Sequence, residues 1–332
     1  MKEYNPSNVG VKNGKIFGLP FNFDESEIVI LPVPWEVTTS FGSGTSKASE
    51  KILEQSTQLD LYHLDFPNAW KKGIFMLNNS KEILELNKTY KAKAQEIIAL
   101  LEKGKAQAEL QQDIDKINEV SNKLNKWVFE QTTTLLNQNK KVILLGGDHS
   151  TPIGFLNALS LKHKNFGILQ IDAHADLRNA YEGFTHSHAS IMYNALKIKA
   201  VEKIVQVGVR DLCEEEVELI NSDTRIECFY DKKIKQDLYS GKNYNQIIKE
   251  IIDALPQKVY ISFDIDGLDP KLCPNTGTPV AGGLEYTQAL EIIRQIKSSG
   301  KEIIACDLVE VGNADWDANV AARLLYEMAC YL

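Results

Sequence analysis

The sequence feature that most constrains this chain is a short acidic segment directly after an apolar run. Residues 166–171 form the run, and residues 172–176 read Asp-Ala-His-Ala-Asp. The run predicts a buried strand whose C-terminal end leads into the segment. Alternate residues of an extended chain point the same way, which directs Asp172, His174 and Asp176 into one space. Carboxylates held this close repel each other unless a cation lies between them, so the segment predicts a metal site, with a solvated acidic loop as the alternative.

Two further apolar runs end in groups of the same kind. Residues 141–145 lead through a glycine pair to His149, and residues 258–263 lead to Asp264 and Asp266. The three runs supply six potential ligands, four of them carboxylates, which exceeds the four ligands of a structural zinc site. Oxygen-rich coordination with two imidazoles predicts two divalent metal ions, with Mn²⁺ favoured over Zn²⁺ by ligand type.

Three motifs, in this order and spacing, resemble the signature motifs of the ureohydrolase family, which includes arginase, agmatinase and formimidoylglutamase. The motifs are GGDHS at 146–150, DAHAD at 172–176 and SFDIDGLDP at 262–270. Two later segments are similar to the C-terminal segments of that family, GTPVAGG at 277–283 and DLVEV at 307–311. The N-terminal segment 31–45 is similar to that of agmatinase-type members. The resemblance covers nearly the whole chain.

Apolar runs and helical patterns alternate from residue 141 onward, which predicts a parallel sheet with helices on both faces. The fold class is therefore α/β, and the resemblance implies a three-layer α/β/α fold with a mainly parallel sheet, arginase/deacetylase-like. We predict strands at 27–31, 141–145, 166–171, 203–209, 258–263 and 302–308, and helices at 151–162, 187–198, 214–221 and 316–330.

Between the first two predicted strands the composition changes to Lys, Glu, Gln, Leu and Ala, which predicts long helices. By the resemblance, the region near 74–130 is a helical insertion, and we expect Gly104 to interrupt its first helix. Apolar residues within 113–129 recur at three- and four-residue steps. This stripe predicts packing on the body of the domain, with another subunit as the alternative.

Length and composition limit the class of protein. A chain of 332 residues with 43% hydrophobic residues fits one α/β domain spanning 1–332. The formal net charge of −8 argues against a nucleic-acid partner. No apolar segment has the length of a transmembrane helix and the N-terminus lacks the apolar core of a signal peptide, so we expect no membrane partner and a cytoplasmic location. The five cysteines lack paired metal spacing and are expected to be reduced.

The resemblance implies a role for each candidate ligand. Asp172 and Asp264 are expected to bridge the two ions, His149 and Asp176 to complete one, and His174 and Asp266 the other. Asp176 is also expected to orient the attacking hydroxide. Two divalent ions supply hydroxide at neutral pH, which hydrolysis of a resonance-stabilised guanidinium requires.

Two further residues carry expected roles in catalysis and substrate binding. His188 matches the proton-shuttling histidine of the family, and an imidazole titrates near neutral pH. His186 is the rival candidate, and a surface or capping histidine is the alternative for either. Glu310 matches the glutamate that binds the substrate guanidinium, because a planar guanidinium and a carboxylate bond bidentately; a surface charge is its alternative. Loop 35–46 is a candidate wall of the substrate pocket.

The substrate is expected to be a small guanidino compound that yields urea and an amine. Agmatine is the first candidate, with guanidinobutyrate, guanidine, arginine and formimidoylglutamate as alternatives. Arginine is disfavoured because Cys213 occupies the place where arginases carry a further aspartate. Arg210 and Asp211 are expected to form a buried ion pair that supports the site.

Two other classes remain open from the sequence. The first is a catalytically inactive metal-binding scaffold, although a carboxylate cluster without a catalytic use destabilises a fold. The second is a one-zinc deacetylase-like enzyme, against which the pair Asp264 and Asp266 indicates two ions. The resemblance also implies a homo-oligomer, a trimer or a hexamer.

Overall fold

The computed structural model describes residues 4–332 and contains a sheet of eight strands that all pair in parallel. The strands are β1 Ile28–Val33, β2 Ile74–Met76, β3 Lys141–Gly146, β4 Phe166–Ile171, β5 Val201–Val207, β6 Ile226–Phe229, β7 Lys258–Asp264 and β8 Glu302–Val309. Their order across the sheet is β2-β1-β3-β8-β7-β4-β5-β6. The predicted α/β class with a mainly parallel sheet is confirmed, and the six predicted strands are present.

Helices cover both faces of the sheet, which makes three layers. They are α1 Ala48–Gln55, α2 Lys81–Glu102, α3 Gln111–Asn137, α4 Ile153–Lys162, α5 Ile191–Ala195, α6 Glu214–Ser222, α7 Asp231–Tyr239, α8 Tyr244–Ala254, α9 Tyr286–Ser298 and α10 Asp315–Tyr331. Apolar residues of α1 and α7–α10 pack on one face, and those of α2–α6 pack on the other.

Alternation along the strands explains why two separate cores form. In β1, Ile28 and Ile30 join the core under α10, whereas Val29 and Leu31 join the core under α3. Successive side chains of a strand point to opposite faces, so a strand covered on both sides is buried along its length and mostly apolar. All six residues of β1 and of β4 are buried, as this requires.

The predicted helical insertion has different boundaries in the structure. Its first residues, Ile74–Met76, form the edge strand β2, and α3 continues to Asn137, beyond the predicted end. The first helix ends at Glu102, and Gly104 follows with a φ of +82°, a backbone conformation that favours glycine. The apolar stripe of α3 is buried against the body of the domain and α2, which confirms the predicted packing.

Short or polar elements escaped prediction. Strands β2 and β6 have three and four residues, too few to show a clear period. The expected helix at 187–198 is shorter, with a 3₁₀ turn at His188–Ser190 before α5. Across residues 4–332, no helix combines the length and apolar character needed to cross a membrane. The organisation as a single domain stays a prediction.

Candidate metal centre

The six candidate ligands come together at the C-terminal ends of three strands. His149 follows β3, Asp172 and His174 follow β4, and Asp264 ends β7. These strands, with β8 between β3 and β7, are consecutive in the sheet. The carboxyl ends of parallel strands are the usual location of ligand sites in such sheets.

Ligand atoms form two groups that share one carboxylate. His149, Asp172 and Asp176 form the first group, and Asp172, His174 and Asp266 form the second, with the atoms of each group within 4.8 Å of one another. The sixth residue, Asp264, places Oδ2 3.3 Å from Nδ1 of His149. A shared carboxylate between two histidine-containing groups is the arrangement expected of a site for two cations.

The environment of His149 shows how well a cation fits. Its Nδ1 lies 3.0 Å from Asp172 Oδ2 and 2.9 Å from Asp176 Oδ2. Despite these short distances, this buried nitrogen makes no hydrogen bond of acceptable geometry. Hydrogen bonds require alignment as well as proximity, and these contacts lack the alignment. A nitrogen that faces several carboxylates without bonding to any of them is suited to bind a cation held among them.

The second group has the same character. Nδ1 of His174 lies 3.0 Å from Asp266 Oδ2 and 3.6 Å from Asp172 Oδ1. Backbone amides orient the acids, since His174 N–H donates to Asp172 Oδ1 at 2.6 Å and Ala173 N–H donates to Asp266 Oδ1 at 3.0 Å. Asp264 Oδ1 accepts from the amide of Asp266 at 2.9 Å. The segment after β4 therefore holds the carboxylate of Asp266 in place, and Asp172 and Asp264 are each held by an amide of their own segment.

The electrostatics of the cluster favour added positive charge. Burial works to lower the pKa of His174, but the charges of Asp266 and Asp172 outweigh it and raise the pKa to about 12. Burial, with the charge of Asp172, raises the pKa of Asp176 to about 7. Burial also raises the pKa of Asp264 well above its usual range. The buried carboxylates thus favour the protonated form of the carboxyl groups and of the imidazoles. Bound divalent cations would stabilise the cluster in the same way, by adding positive charge.

A buried polar network behind His149 fixes the orientation of its ring. Nε2 of His149 lies 2.9 Å from Ser262 Oγ, and that hydroxyl lies 2.9 Å from Asp307 Oδ2. Tyr260 donates a second hydrogen bond to Asp307 Oδ2 at 2.6 Å. Partners of this kind set which ring nitrogen of a ligating histidine is free to bind metal. Ser262 and Asp307 are polar residues inside otherwise apolar strands. This pattern could have indicated the network, but it did not enter the sequence-based prediction.

A second polar pair supports Asp172 from within the sheet. Gln170 in β4 donates to Asp172 Oδ2 at 2.8 Å, and Gln206 in β5 donates to Gln170 Oε1 at 2.6 Å. Both glutamines are buried. Arg210 was predicted to pair with Asp211, and that prediction is wrong. Its guanidinium instead donates to backbone carbonyls, including those of Asp266 at 2.6 Å and Val280 at 3.0 Å, so it supports the segment after β7.

Glu310 is a buried carboxylate with one free oxygen. Oε1 accepts from the amide of His149 at 3.0 Å, whereas Oε2 is buried without a hydrogen-bond partner. The backbone of Glu310 has a φ of +59°, unusual for a residue other than glycine. Its own amide donates to Gly147 O at 2.9 Å and its carbonyl accepts from Thr276 Oγ1 at 2.7 Å, which hold this conformation. Strained backbone of this kind is common at functional sites.

A cavity of about 170 Å³ opens beside the cluster, lined by Ser40, His174, Asp176, Arg178, Tyr181, His188, Ala189, Asp211, Leu212, Glu216 and Thr278. A narrower cavity continues from it and reaches Glu310, lined also by residues 39–42 and Gly277. Ser40, His188 and Thr278 line both cavities. Residues of loop 35–46, the candidate wall, therefore border this space.

His188 and His186 are clearly separated by the structure. His188 borders both cavities, and its amide donates to Thr38 Oγ1 at 3.2 Å. His186 borders neither cavity, and burial, followed by the charge of Lys197, lowers its pKa. Burial, followed by the charges of His174 and His149, lowers the pKa of His188 to about 4. Of the two candidates, His188 is the one placed to contact a molecule in the cavity.

Comparisons with known proteins identify the family and the fold of this chain. The model of a family described as the Arginase family matches residues 26–331. The chain is 30% identical to an N(1)-aminopropylagmatine ureohydrolase of Thermus thermophilus, with 92% of this chain and 89% of that protein covered. It is 29% identical to an agmatinase of Bacillus anthracis, with 95% and 96% covered. An agmatine ureohydrolase structure from Thermoplasma volcanium superposes with a TM-score of 0.71 at 21% identity, covering 97% of this chain and 94% of that one.

Proposed function

The chain belongs to the arginase family of ureohydrolases, and from that premise we propose that it is a two-metal hydrolase whose substrate is agmatine. Water cleaves the C–N bond between the guanidino carbon and the alkyl nitrogen, which releases urea and putrescine. A relative named for agmatine and another named for N(1)-aminopropylagmatine match at similar identity, so the second compound is the alternative substrate.

The residues that would hold the two ions are the six that follow β3, β4 and β7. In the proposal His149 and Asp176 would hold one ion, His174 and Asp266 would hold the other, and Asp172 and Asp264 would serve both. The two ligand groups that share Asp172 support this assignment. We propose Mn²⁺ as the metal, because carboxylates outnumber imidazoles and sulfur is absent from the ligand set. Bound divalent ions lower the pKa of water, which makes hydroxide available at neutral pH.

Substrate orientation is assigned to Glu310 and proton transfer to His188. Glu310 lines the narrow cavity and its Oε2 has no hydrogen-bond partner, so we assign its carboxylate to pairing with a planar guanidinium. His188 lies between this cavity and the wider one, so its imidazole is placed to pass a proton to the departing amine. Asp176 is both a proposed ligand and a wall of the wide cavity, where it would orient the attacking hydroxide.

The charge of the wide cavity supports a substrate with a cationic tail. Asp211 and Glu216 line it together with one cation, Arg178. Arg178 is already engaged, because its guanidinium lies 4.9 Å from the centre of the Tyr181 ring and 3.9 Å from Glu216. No salt bridge within residues 4–332 involves Asp211. The remaining negative charge favours the amine of agmatine over the carboxylate of guanidinobutyrate.

The observation that carries the proposal is the unpartnered Oε2 of Glu310 beside the cluster of six ligands. The test is a panel of agmatine, N(1)-aminopropylagmatine, guanidinobutyrate, guanidine, arginine and formimidoylglutamate, assayed for product with Mn²⁺-loaded protein. We expect agmatine to give the highest kcat/KM. Faster turnover of another guanidino compound would replace the substrate, and no product from any of them would favour the inactive scaffold.

A matched variant tests the role of the charged cavity wall. Asp211→Asn preserves size and removes the charge, so we expect a raised KM for agmatine and a smaller effect on neutral guanidine. The proposal also includes a homo-oligomer, a trimer or a hexamer, and a cytoplasmic location. Native mass measurement tests the assembly, and fractionation of cells tests the location.

A further inference from the structure

The long hairpin formed by α2 and α3 contributes no lining residue to either cavity within the described chain. It nevertheless makes polar contacts with both loops that face each other across His188. One contact is to loop 35–46, and the other is to residues 183–185, which precede His188. A hairpin that served only to cover the sheet would need apolar contacts alone, so these polar contacts call for a separate explanation.

The first contact is made through a buried carboxylate, Glu36. Its side chain is only 5% exposed, and Lys91 of α2 donates to Oε1 at 2.5 Å. The other oxygen, Oε2, accepts from the amide of Gly44 at 2.6 Å and from that of Ser46 at 3.4 Å. The amide of Glu36 also donates a hydrogen bond to Oδ1 of Asn87 in α2, at 2.8 Å.

These contacts close the loop on itself, because Glu36 at its beginning bonds to amides at its end. Burial works to raise the pKa of Glu36, but the hydrogen bonds from Lys91 and Gly44 outweigh it and lower the pKa. The carboxylate is therefore charged, and Lys91 is its only cationic partner among the salt bridges of residues 4–332. Removing the lysine would leave a buried charge unpaired, which strongly disfavours the closed form of the loop.

The closed loop contacts each part of the proposed active site. Thr38 Oγ1 accepts from the amide of His188, and Thr45 Oγ1 donates to Gly147 O at 3.1 Å beside the His149 segment. The amide of Gly42 donates to Gly277 O at 3.0 Å, and Gly277 lines the cavity that reaches Glu310. A shift of this loop would thus move the surroundings of both His188 and Glu310.

The second contact holds the opposite loop. Asn118 of α3 donates to Gly183 O at 3.1 Å, and its Oδ1 accepts from the amide of Thr185 at 2.9 Å. Gly183 has a φ of +83°, and a Cβ there would lie 2.9 Å from Ile114 Cδ1 of α3. The close approach of Gly183 to α3 and the two hydrogen bonds of Asn118, one on each side of Phe184, together position the backbone that leads to His188.

We propose that the α2–α3 hairpin is a positioning element of the active site, in which Lys91 acts through Glu36 and Asn118 acts through residues 183–185. This inference rests on the proposed function, because it concerns substrate placement between the two loops. Lys91 and Asn118 are positioning residues and contact no reacting atom. Misplacement of a catalytic constellation by about 1 Å can lower the rate about 10²-fold, so loss of either contact is expected to reduce kcat/KM.

The decisive experiment compares Lys91→Met with Lys88→Met, which removes the same charge from an exposed position of the same helix. Amide hydrogen exchange of residues 36–46 is measured together with kcat, KM and metal content. In Lys91→Met we expect exchange in this loop to become at least about tenfold faster and kcat/KM to fall by about 10- to 100-fold, with both ions retained. Lys91→Arg should largely restore the slow exchange of the loop and the kcat/KM of the wild type. Lys88→Met should match the wild type in both measurements.

A second pair of variants tests the other contact. Asn118→Ala should accelerate exchange in residues 181–188 and lower kcat more than it raises KM, because His188 is proposed to act in the chemical step. Asn122→Ala, an exposed asparagine on the same helix, is the matched control. Should Lys91→Met fail to fold, Asn87→Ala removes a hydrogen bond from Glu36 without leaving a buried charge unpaired, and it should accelerate exchange in loop 36–46 to a smaller degree.

Unchanged exchange and unchanged kcat/KM in Lys91→Met and Asn118→Ala would overturn the positioning role. Faster exchange spread equally over the chain, including α10, would also overturn it, because the contacts would then support only general stability. A wild-type protein that hydrolyses no guanidino compound would overturn the proposed function instead. The exchange measurements need no substrate, so the two failures can be told apart.

Discussion

The two sides of the candidate active site are built in different ways. The six proposed ligands follow three strands at the centre of one sheet, and their carboxylates are held by amides at these strand ends, two residues away for Asp172 and Asp264 and on the neighbouring segment for Asp266. The opposite side consists of loop 35–46 and residues 181–188, which are held by α2 and α3 through contacts 51 to 67 residues apart in sequence. The metal side is therefore fixed within the sheet, by backbone amides at the strand ends and by strand side chains such as Ser262, whereas the substrate side depends on side chains of two helices outside the sheet.

This difference predicts how each side responds to change. Substitution on the metal side removes a charge from a buried cluster, which affects ion binding, folding and chemistry together. Substitution on the substrate side changes placement and leaves the ions bound. Variants that separate metal content from turnover therefore test the comparison directly.

The largest effect is expected at the carboxylate shared by the two ligand groups. Asp172→Ala should reduce turnover to the background rate and remove at least one ion. It should also abolish metal-dependent stabilisation, which amounts to about 2.7 kcal/mol at a metal concentration 100 times the Kd. Metal analysis, turnover and thermal unfolding of the same preparation measure these effects. Asp24→Ala, an exposed acid, is the control, and full metal content in Asp172→Ala would contradict the assignment.

The next effect concerns a residue on the substrate side. His188→Ala should retain both ions and lower turnover by about 10²- to 10⁴-fold, the range usual for general acid–base groups. His186→Ala should have much less effect, because this histidine borders neither cavity. Imidazole added to His188→Ala gives a further control through recovery of turnover. Loss of an ion in this variant would identify His188 as a ligand and would weaken the division between the two sides.

A smaller effect is expected behind the ligands. Ser262→Ala removes the hydroxyl that lies 2.9 Å from Nε2 of His149, so the ring loses its fixed orientation. We expect metal affinity to fall by about 10- to 100-fold, the usual effect of losing such a partner. Titration with Mn²⁺ measures the Kd, and Ser222→Ala on the exposed end of α6 is the control. An unchanged Kd would show that the sheet alone orients His149.

The smallest effect is a dependence of stability on pH in the loop before His188. Burial, with the charge of Glu102, raises the pKa of Glu182 to about 7. A raised pKa of an acid contributes stability that is fully present below its ordinary value near 4.5 and is lost as pH rises through about 7. Glu182→Gln should therefore increase the free energy of unfolding at pH 8 by about 1 kcal/mol, after allowance for partial exposure, and change it little at pH 4.5.

Denaturant unfolding at the two pH values measures this difference. Glu109→Gln, which replaces an exposed acid between α2 and α3, is the control and should show the same stability as the wild type at both values. Equal effects of Glu182→Gln at pH 4.5 and pH 8 would mean that this carboxyl titrates normally in the folded protein.

The candidate ligands could be predicted from sequence because each follows an apolar run, and because alternate residues of an extended chain point in the same direction. The common direction of Asp172, His174 and Asp176 could be predicted without knowledge of the rest of the fold. By contrast, Arg210 was assigned the wrong partner, because five backbone carbonyls, four of them from distant segments, compete with the neighbouring acid. The edge strand β2 was hidden inside a predicted helical region, since three residues carry no detectable period.

The sequence by itself determined the α/β class, the strands that carry the candidate ligands and the donor set of the proposed two-metal site, because alternation and strand ends are local properties of the chain. Only the tertiary structure decided that β3, β8, β7 and β4 lie side by side, that His188 and not His186 faces the cavity, and that Glu310 keeps one oxygen free. It also decided that Lys91 reaches Glu36 across 55 residues. These contacts join segments that have no common period, so only the packing of helices on the sheet brings them together.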